Sequence, residues 1–175
     1  TMDTESVSNI LQLGGTILRS ARSDEFRTFE GRAKAYKTIK DNGIEGLVVI
    51  GGDGTFKGSL AFMETYKDVP ILGCPGTIDN DLYGTDYTIG YDTAINTAMN
   101  AIDNIKDTAN SHDRLFFIEV MGRDAGFIAL RSGIATGAEA VLMPESKTSV
   151  DQLITILKQG RALKKNASIV VVAEG

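Results

Sequence analysis

Four groups of residues have types and spacings that could do chemistry. The first is Gly51-Gly52-Asp53-Gly54-Thr55, with Gly58 one turn further on. Glycines let a backbone approach an anion closely, and a helix starting there would aim free N–H groups at a phosphate. Asp53 adds a carboxylate suited to Mg²⁺, directly or through water. The plainer reading is a strand-to-helix turn that needs glycine. The second group is Pro75-Gly76-Thr77-Ile78-Asp79-Asn80-Asp81. Two carboxylates so placed on a loop can divide their tasks, one accepting a proton from a hydroxyl and the other helping to hold a metal. Thr77 offers a hydroxyl to a phosphate or a sugar. The plainer reading is an acidic, Asx-rich turn. The third group is Met121-Gly122-Arg123, preceded by Arg114. A guanidinium at a strand end could steady charge on a transferring phosphoryl group, although an isolated Arg more often pairs with a nearby carboxylate. The fourth is Glu174, just past an apolar run, which could accept hydrogen bonds from sugar hydroxyls or simply be solvated.

These groups need elements to position them. Short β-branched runs bounded by Gly or Pro predict strands at 47–50, 70–73, 115–120, 140–143 and 169–173. Helical periodicity predicts helices near 7–13, over 29–42, from the 51–55 turn to about 66, and over 92–109, 124–136 and 150–163. Gly43 is placed near a helix C-cap. Residues 74–90 read as a long loop. Strands alternating with helices predict an α/β fold with a mostly parallel sheet. In such folds ligands gather at the carboxyl ends of the strands. The first three groups fall at predicted strand ends. The expected lobe boundary lies near Gly90, giving units 1–90 and 91–175.

Composition narrows the classes. The 175 residues carry a net charge of −5, which argues against a general nucleic-acid binder but not against a local phosphate pocket. A single cysteine, Cys74, excludes an internal disulfide and fits a reducing compartment. Without a leader or an apolar run long enough to span a bilayer, a cytoplasmic protein is expected. Cys74 is expected to pack at a strand end, and His112 to act as a helix-end cap beside Asp113. Lys164 and Lys165 should solvate a helix terminus, while Tyr83, Tyr87 and Tyr91 should pack between lobes.

Read in order, the groups resemble the ATP-type 6-phosphofructokinase family. The resemblance begins at Gly14-Gly15-Thr16 and Ser20-Ala21-Arg22. It continues through the first two groups and through 84–90 (GTDYTIG), and ends with Arg114, Met121-Gly122-Arg123 and Glu174. It implies doubly wound, mostly parallel sheets in two Rossmann-like lobes, both truncated here. It also implies transfer of the γ-phosphoryl of ATP to the 1-hydroxyl of fructose 6-phosphate, a glycolytic step. By resemblance, Asp79 is the base, and Thr77 and Arg123 stabilise the transferring group. Asp53 and Asp81 organise Mg²⁺. Arg22, Gly52, Asp53, Gly54, Thr55 and Gly58 meet the nucleotide. Met121, Gly122 and Glu174 hold the sugar with Thr77, Asp79 and Arg123, while Arg114 reaches the sugar phosphate in a neighbouring subunit of a homotetramer. Glu139 and Lys165 match positions of an allosteric effector site. Lys106 stands where bacterial members often carry Arg, and Leu163 where they often carry Lys.

The phosphoryl donor is read from two positions. In pyrophosphate-using relatives an Asp commonly replaces a Gly of the GGDG run, and a Lys follows the Pro of the TIDND loop. Both positions are Gly here, Gly54 and Gly76, which favours ATP over the pyrophosphate-dependent alternative. A lipid or NAD kinase shares a GGDGT run but lacks the other motifs. A non-catalytic ligand-binding fragment is the alternative from another class. Both chain ends read as cuts through a larger enzyme. The N-terminal nucleotide loop and C-terminal sugar-phosphate residues of the family have no counterpart here, so the chain alone is expected to be inactive.

Overall fold

The computed structural model describes residues 2–112, 114–163 and 168–175. Asp113, Lys164 and Lys165 lie outside the described residues, as does the side chain of His112. Packing divides the chain into two compact units, Thr1–Ile44 and Glu45–Gly175.

In the first unit, the helix expected near 7–13 does not form; turns take its place. The Asp3 carboxylate accepts the Ser6 N–H at 2.8 Å and the Ser6 hydroxyl at 2.6 Å, and Asn9 is left-handed at φ 58°. Such local side-chain bonds compete with a helical ladder, and a left-handed residue interrupts it. A short 3-10 helix, Glu25–Arg27, then leads to α1 (Phe29–Asp41). The Thr28 side chain caps α1 by accepting the Gly31 N–H at 3.0 Å, and Gly43 follows its end at φ 64°.

The second unit contains two sheets, both parallel. One pairs β1 (Leu47–Gly51) with β2 (Ile71–Pro75), and α2 (Asp53–Thr65) connects them. The second strand runs on to Pro75 rather than stopping at 73, because it pairs with β1 along its whole length and Gly51 lies opposite Pro75. α2 starts at Asp53, and its Phe56 ring lies where a Cβ on Gly73 would be 2.8 Å away, so β2 needs glycine there. The other face of this sheet leaves Val48, Ile50 and Leu72 exposed. Irregular chain over 76–90 then leads to α3 (Tyr91–His112).

The second sheet contains β3 (Leu115–Val120), β4 (Ala140–Leu142) and β5 (Ser168–Ala173), in the order β3-β5-β4. The connections are α4 (Phe127–Thr136) and α5 (Val150–Ala162). α4 begins three residues later than the sequence pattern predicts, because residues 122–125 form a turn, with the Ala125 N–H on the Gly122 carbonyl at 3.0 Å. β5 is the central strand, and its near-continuous apolar run is buried. Ile169, Val171 and Ala173 pack with Ile102 and Ala109 of α3 and Ala129 of α4 to form the core. The expected α/β class with parallel sheets is therefore the class observed. No helix among the described residues is long and apolar enough to cross a membrane.

Candidate active site

Parallel pairing brings strand ends together, and that is what assembles the site. Because Gly51 lies opposite Pro75, the Gly52–Thr55 turn and the Thr77–Asp81 loop leave the sheet side by side. The Gly76 N–H donates to the Gly51 carbonyl at 3.1 Å, and a Cβ on Gly52 would come within 3.3 Å of the Thr77 Cβ. Asp53 stands in the first turn of α2, where a carboxylate complements the helix dipole. Its Oδ2 pairs with Lys57 Nζ at 2.7 Å, but both side chains are solvated and the pair adds little stability. A Cβ on Gly54 would meet nothing within 4 Å, so that face of the turn is open.

The second sheet supplies a matching pair of ends. Val120 lies opposite Ala173, so Met121-Gly122-Arg123 leaves β3 beside Glu174. Gly122 has φ 149° and Arg123 has φ 54°, which turns the chain sharply. A Cβ on Gly122 would be 2.5 Å from the Ala125 carbonyl oxygen, so only glycine fits. The Arg123 N–H donates to Glu174 Oε2 at 3.1 Å, which ties the end of β3 to the end of β5.

The two clusters meet at Asp79. Its Oδ2 lies 4.0 Å from Arg123 Nε, with the Asp79 side chain only 16% exposed. Burial pushes the Asp79 carboxyl above the ordinary aspartate range, and the Asp81 charge adds to the rise. Arg123 and the Thr77 hydroxyl pull it down, and Glu174 pushes it up. The Asp79 N–H donates to Thr77 Oγ1 at 3.2 Å. A largely buried carboxylate with a raised pKa, next to a guanidinium, can accept a proton while the cation waits for developing negative charge.

The structure thus gathers Gly52, Thr77, Asp79, Asp81, Gly122, Arg123 and Glu174, with Met121 exposed at the same strand end. Asp53, Thr55 and Gly58 lie in the α2 segment that opens beside them. Arg22 is an exposed residue of the first unit. Arg114 sits at the opposite end of β3. There it lines a 260 Å³ depression with Ile154, Leu157, Lys158, Arg161 and Ser168. Glu139 precedes β4, and its carboxylate accepts the Ile169 N–H at 2.6 Å. Lys106 Nζ donates to the Thr136 carbonyl at 2.6 Å, at the C-terminal end of α4. Lys165 lies outside the described residues.

Asp53 and Asp81 offer only oxygen donors. No cluster of three or more His, Cys, Asp or Glu side chains exists among the described residues. That composition fits Mg²⁺, which takes one or two carboxylates and fills its remaining positions with water and substrate phosphates.

One contributor, Glu145, had no sequence signal of its own. Glu145 accepts the Gly126 N–H at 2.8 Å and so caps α4, whose own N-cap residue has no side chain. Buried Tyr91 donates its hydroxyl to the Phe127 carbonyl at 3.2 Å, joining α3 to α4, whereas Tyr83 is fully exposed, against the expectation that it packs. Tyr87 is half-exposed with its ring centroid 6.1 Å from that of Tyr91. Cys74 lies partly buried within β2. Gly76 also has a packing reason, since a Cβ there would sit 2.7 Å from Ile50 Cγ2.

Comparison with known proteins gives a consistent result. The family model described as Phosphofructokinase matches residues 1–175. An ATP-dependent 6-phosphofructokinase 2 of Bacteroides thetaiotaomicron is 61% identical over 171 residues, covering 98% of this chain and 52% of the relative. An ATP-dependent 6-phosphofructokinase 1 of Thermus thermophilus is 59% identical over 174 residues, covering 99% of this chain and 54% of the relative. The chain therefore spans about half the length of these relatives. Among solved structures, the T-state phosphofructokinase of Pichia pastoris superposes with a TM-score of 0.91 at 39% identity, covering 99% of this chain and 20% of that one.

Proposed function

The chain belongs to the phosphofructokinase family, and from that premise we propose that the protein transfers the γ-phosphoryl of ATP to the 1-hydroxyl of fructose 6-phosphate. The observation that carries the reading is Asp79, a largely buried carboxylate with a raised pKa facing Arg123 across two converging strand ends. Asp79 takes the proton from the 1-hydroxyl as its oxygen attacks the γ-phosphorus and the bond to the ADP oxygen breaks. The Arg123 guanidinium and the Thr77 hydroxyl face the phosphoryl oxygens. Gly52, Gly54, Thr55, Gly58 and Arg22 meet the nucleotide, while Met121, Gly122 and Glu174 hold the sugar. Asp53 and Asp81 would hold Mg²⁺, which neutralises phosphate charge when bound. Little covalent chemistry falls to the protein in such a transfer, so positioning and electrostatics dominate.

ATP is the proposed donor rather than pyrophosphate. The open face at Gly54 supports this, as do relatives named ATP-dependent at about 60% identity. We assign 1–90 to the nucleotide lobe and 91–175 to the sugar-phosphate lobe of a cytoplasmic, effector-regulated homotetramer. Arg114 serves a neighbouring subunit there, and Glu139 and Lys165 belong to the effector site. The 175 residues alone are proposed to be inactive, because positioning needs the rest of both binding sites.

The test is Asp79→Asn in the full-length enzyme, assayed for fructose 1,6-bisphosphate with ATP, Mg²⁺ and fructose 6-phosphate. Loss of a general base lowers kcat by about 10²–10⁴-fold with KM little changed. Near-native turnover of the variant would sink the assignment.

A further inference from the structure

Asn80 lies between the two aspartates and does something neither of them does. Its backbone is left-handed, at φ 55°. Its side-chain oxygen accepts both the Thr88 N–H at 2.8 Å and the Thr88 hydroxyl at 3.2 Å, and its side-chain nitrogen donates to the Asp86 carbonyl at 3.2 Å. Thr88 is itself only 5% exposed. Close by, the Ile89 N–H donates to the Pro75 carbonyl at 2.8 Å, and Gly76 bridges to Ile89. The 86–89 segment is thus anchored to the end of β2, and Asn80 is hooked onto that anchor.

We infer that Asn80 is a positioning residue whose grip on Thr88 and Asp86 fixes the backbone carrying Asp79 and Asp81. The argument is geometric. Between the end of β2 and α3 the chain has no helix or strand to stiffen it. A carboxylate held by such a loop would sample many directions unless side-chain bonds replace the missing ladder. The chain bends at Ile78 and Asp79, and Asn80 follows in a left-handed conformation between the two aspartates. Asn is among the few side chains that tolerate that conformation while still making local bonds. This inference rests on the reading of Asp79 as the base, which the closing experiment tests separately.

The experiment uses the full-length enzyme and three variants. Asn80→Gly keeps the left-handed backbone without strain and removes all three side-chain bonds. Its kcat is expected to fall by about 10- to 100-fold, since a misplacement near 1 Å costs that much, with KM for both substrates within a few-fold of native. Asn80→Asp retains the two acceptor bonds to Thr88 and should recover more than half of the logarithmic loss in kcat. Asp79→Asn is the control for the underlying reading. If Asp79→Asn abolishes turnover while Asn80→Gly keeps the native kcat, the positioning role is wrong. A fall in folded protein with kcat per folded enzyme unchanged also overturns it. If Asp79→Asn itself turns over normally, the base reading fails first and the Asn80 role falls with it. Hydrogen exchange at the Thr88 amide, independent of activity, should quicken in Asn80→Gly and stay slow in Asp79→Asn; slow exchange in both overturns the hydrogen-bond argument.

Discussion

Asp79 holds its proton more tightly than a free aspartate because burial strips water from the carboxylate and Asp81 adds a second negative charge. That has a cost in stability with a definite sign. The unfolded chain loses this proton near the ordinary value of 3.8, before the folded chain does. Between the two values the folded state binds more protons, so stability falls as pH rises, and the deficit persists above the folded value. Asp79→Asn has no such titration. It is expected to melt at a higher temperature than the native enzyme at neutral pH, with the gap closing as pH drops below 4. Thermal melts at several pH values check this; a constant gap would show that the charge is not the cause. The donor question also belongs to single residues. Gly54→Asp meets open space and should fold, yet its carboxylate would repel nucleotide phosphates. ATP turnover should drop by roughly tenfold or more, as a like charge beside a phosphate implies; unchanged ATP kinetics would place Gly54 away from the donor. Gly76 is a poorer marker than the sequence suggests, because a side chain there would also have to displace Ile50. The placement of Asp53, Asp79 and Arg123 beyond strand ends was legible in the sequence because Gly and Pro punctuate those ends. Asn80 was not, since its partner lies eight residues on and no local spacing announces that contact.

At the scale of elements, the strands were legible wherever β-branched runs were buried on both faces, as in β5, and α3 and α5 wherever the period was long and regular. Failures had local causes. Val7, Ile10, Leu11 and Leu13 have helical spacing, but Asp3, Ser6 and Asn9 bind or bend the backbone otherwise. α4 starts late because the turn at 122–125 holds Arg123 in a left-handed conformation, with its N–H bound to Glu174 just past the end of β5. Gly122→Ala tests that turn. The added methyl would press on the Ala125 carbonyl in a conformation that L residues rarely adopt. Denaturant unfolding should show a loss of about 1–3 kcal/mol. Turnover should fall as well, because the turn aims Arg123 at Asp79. Native stability in the variant would mean that the turn relaxes freely.

At the scale of the whole molecule, β3 is a strand with a different task at each end. Its carboxyl end leads to Arg123 and the Asp79 cluster, while Arg114 stands at its amino end, in the depression beside α5. Six strand residues separate them, roughly 20 Å at the usual rise per residue. An Arg side chain does not reach back over that length, which fits the proposal that Arg114 serves a neighbouring subunit. On that proposal two broken enzymes should repair each other. Subunits carrying Arg114→Ala and subunits carrying Asp79→Asn are each expected to be nearly inactive alone. Unfolded together and reassembled in equal amounts across a two-fold interface, they would form about a quarter of their sites from two intact contributors. Activity recovering to about that fraction of the native level would mark the site as shared property, whereas no recovery would make it private to each chain.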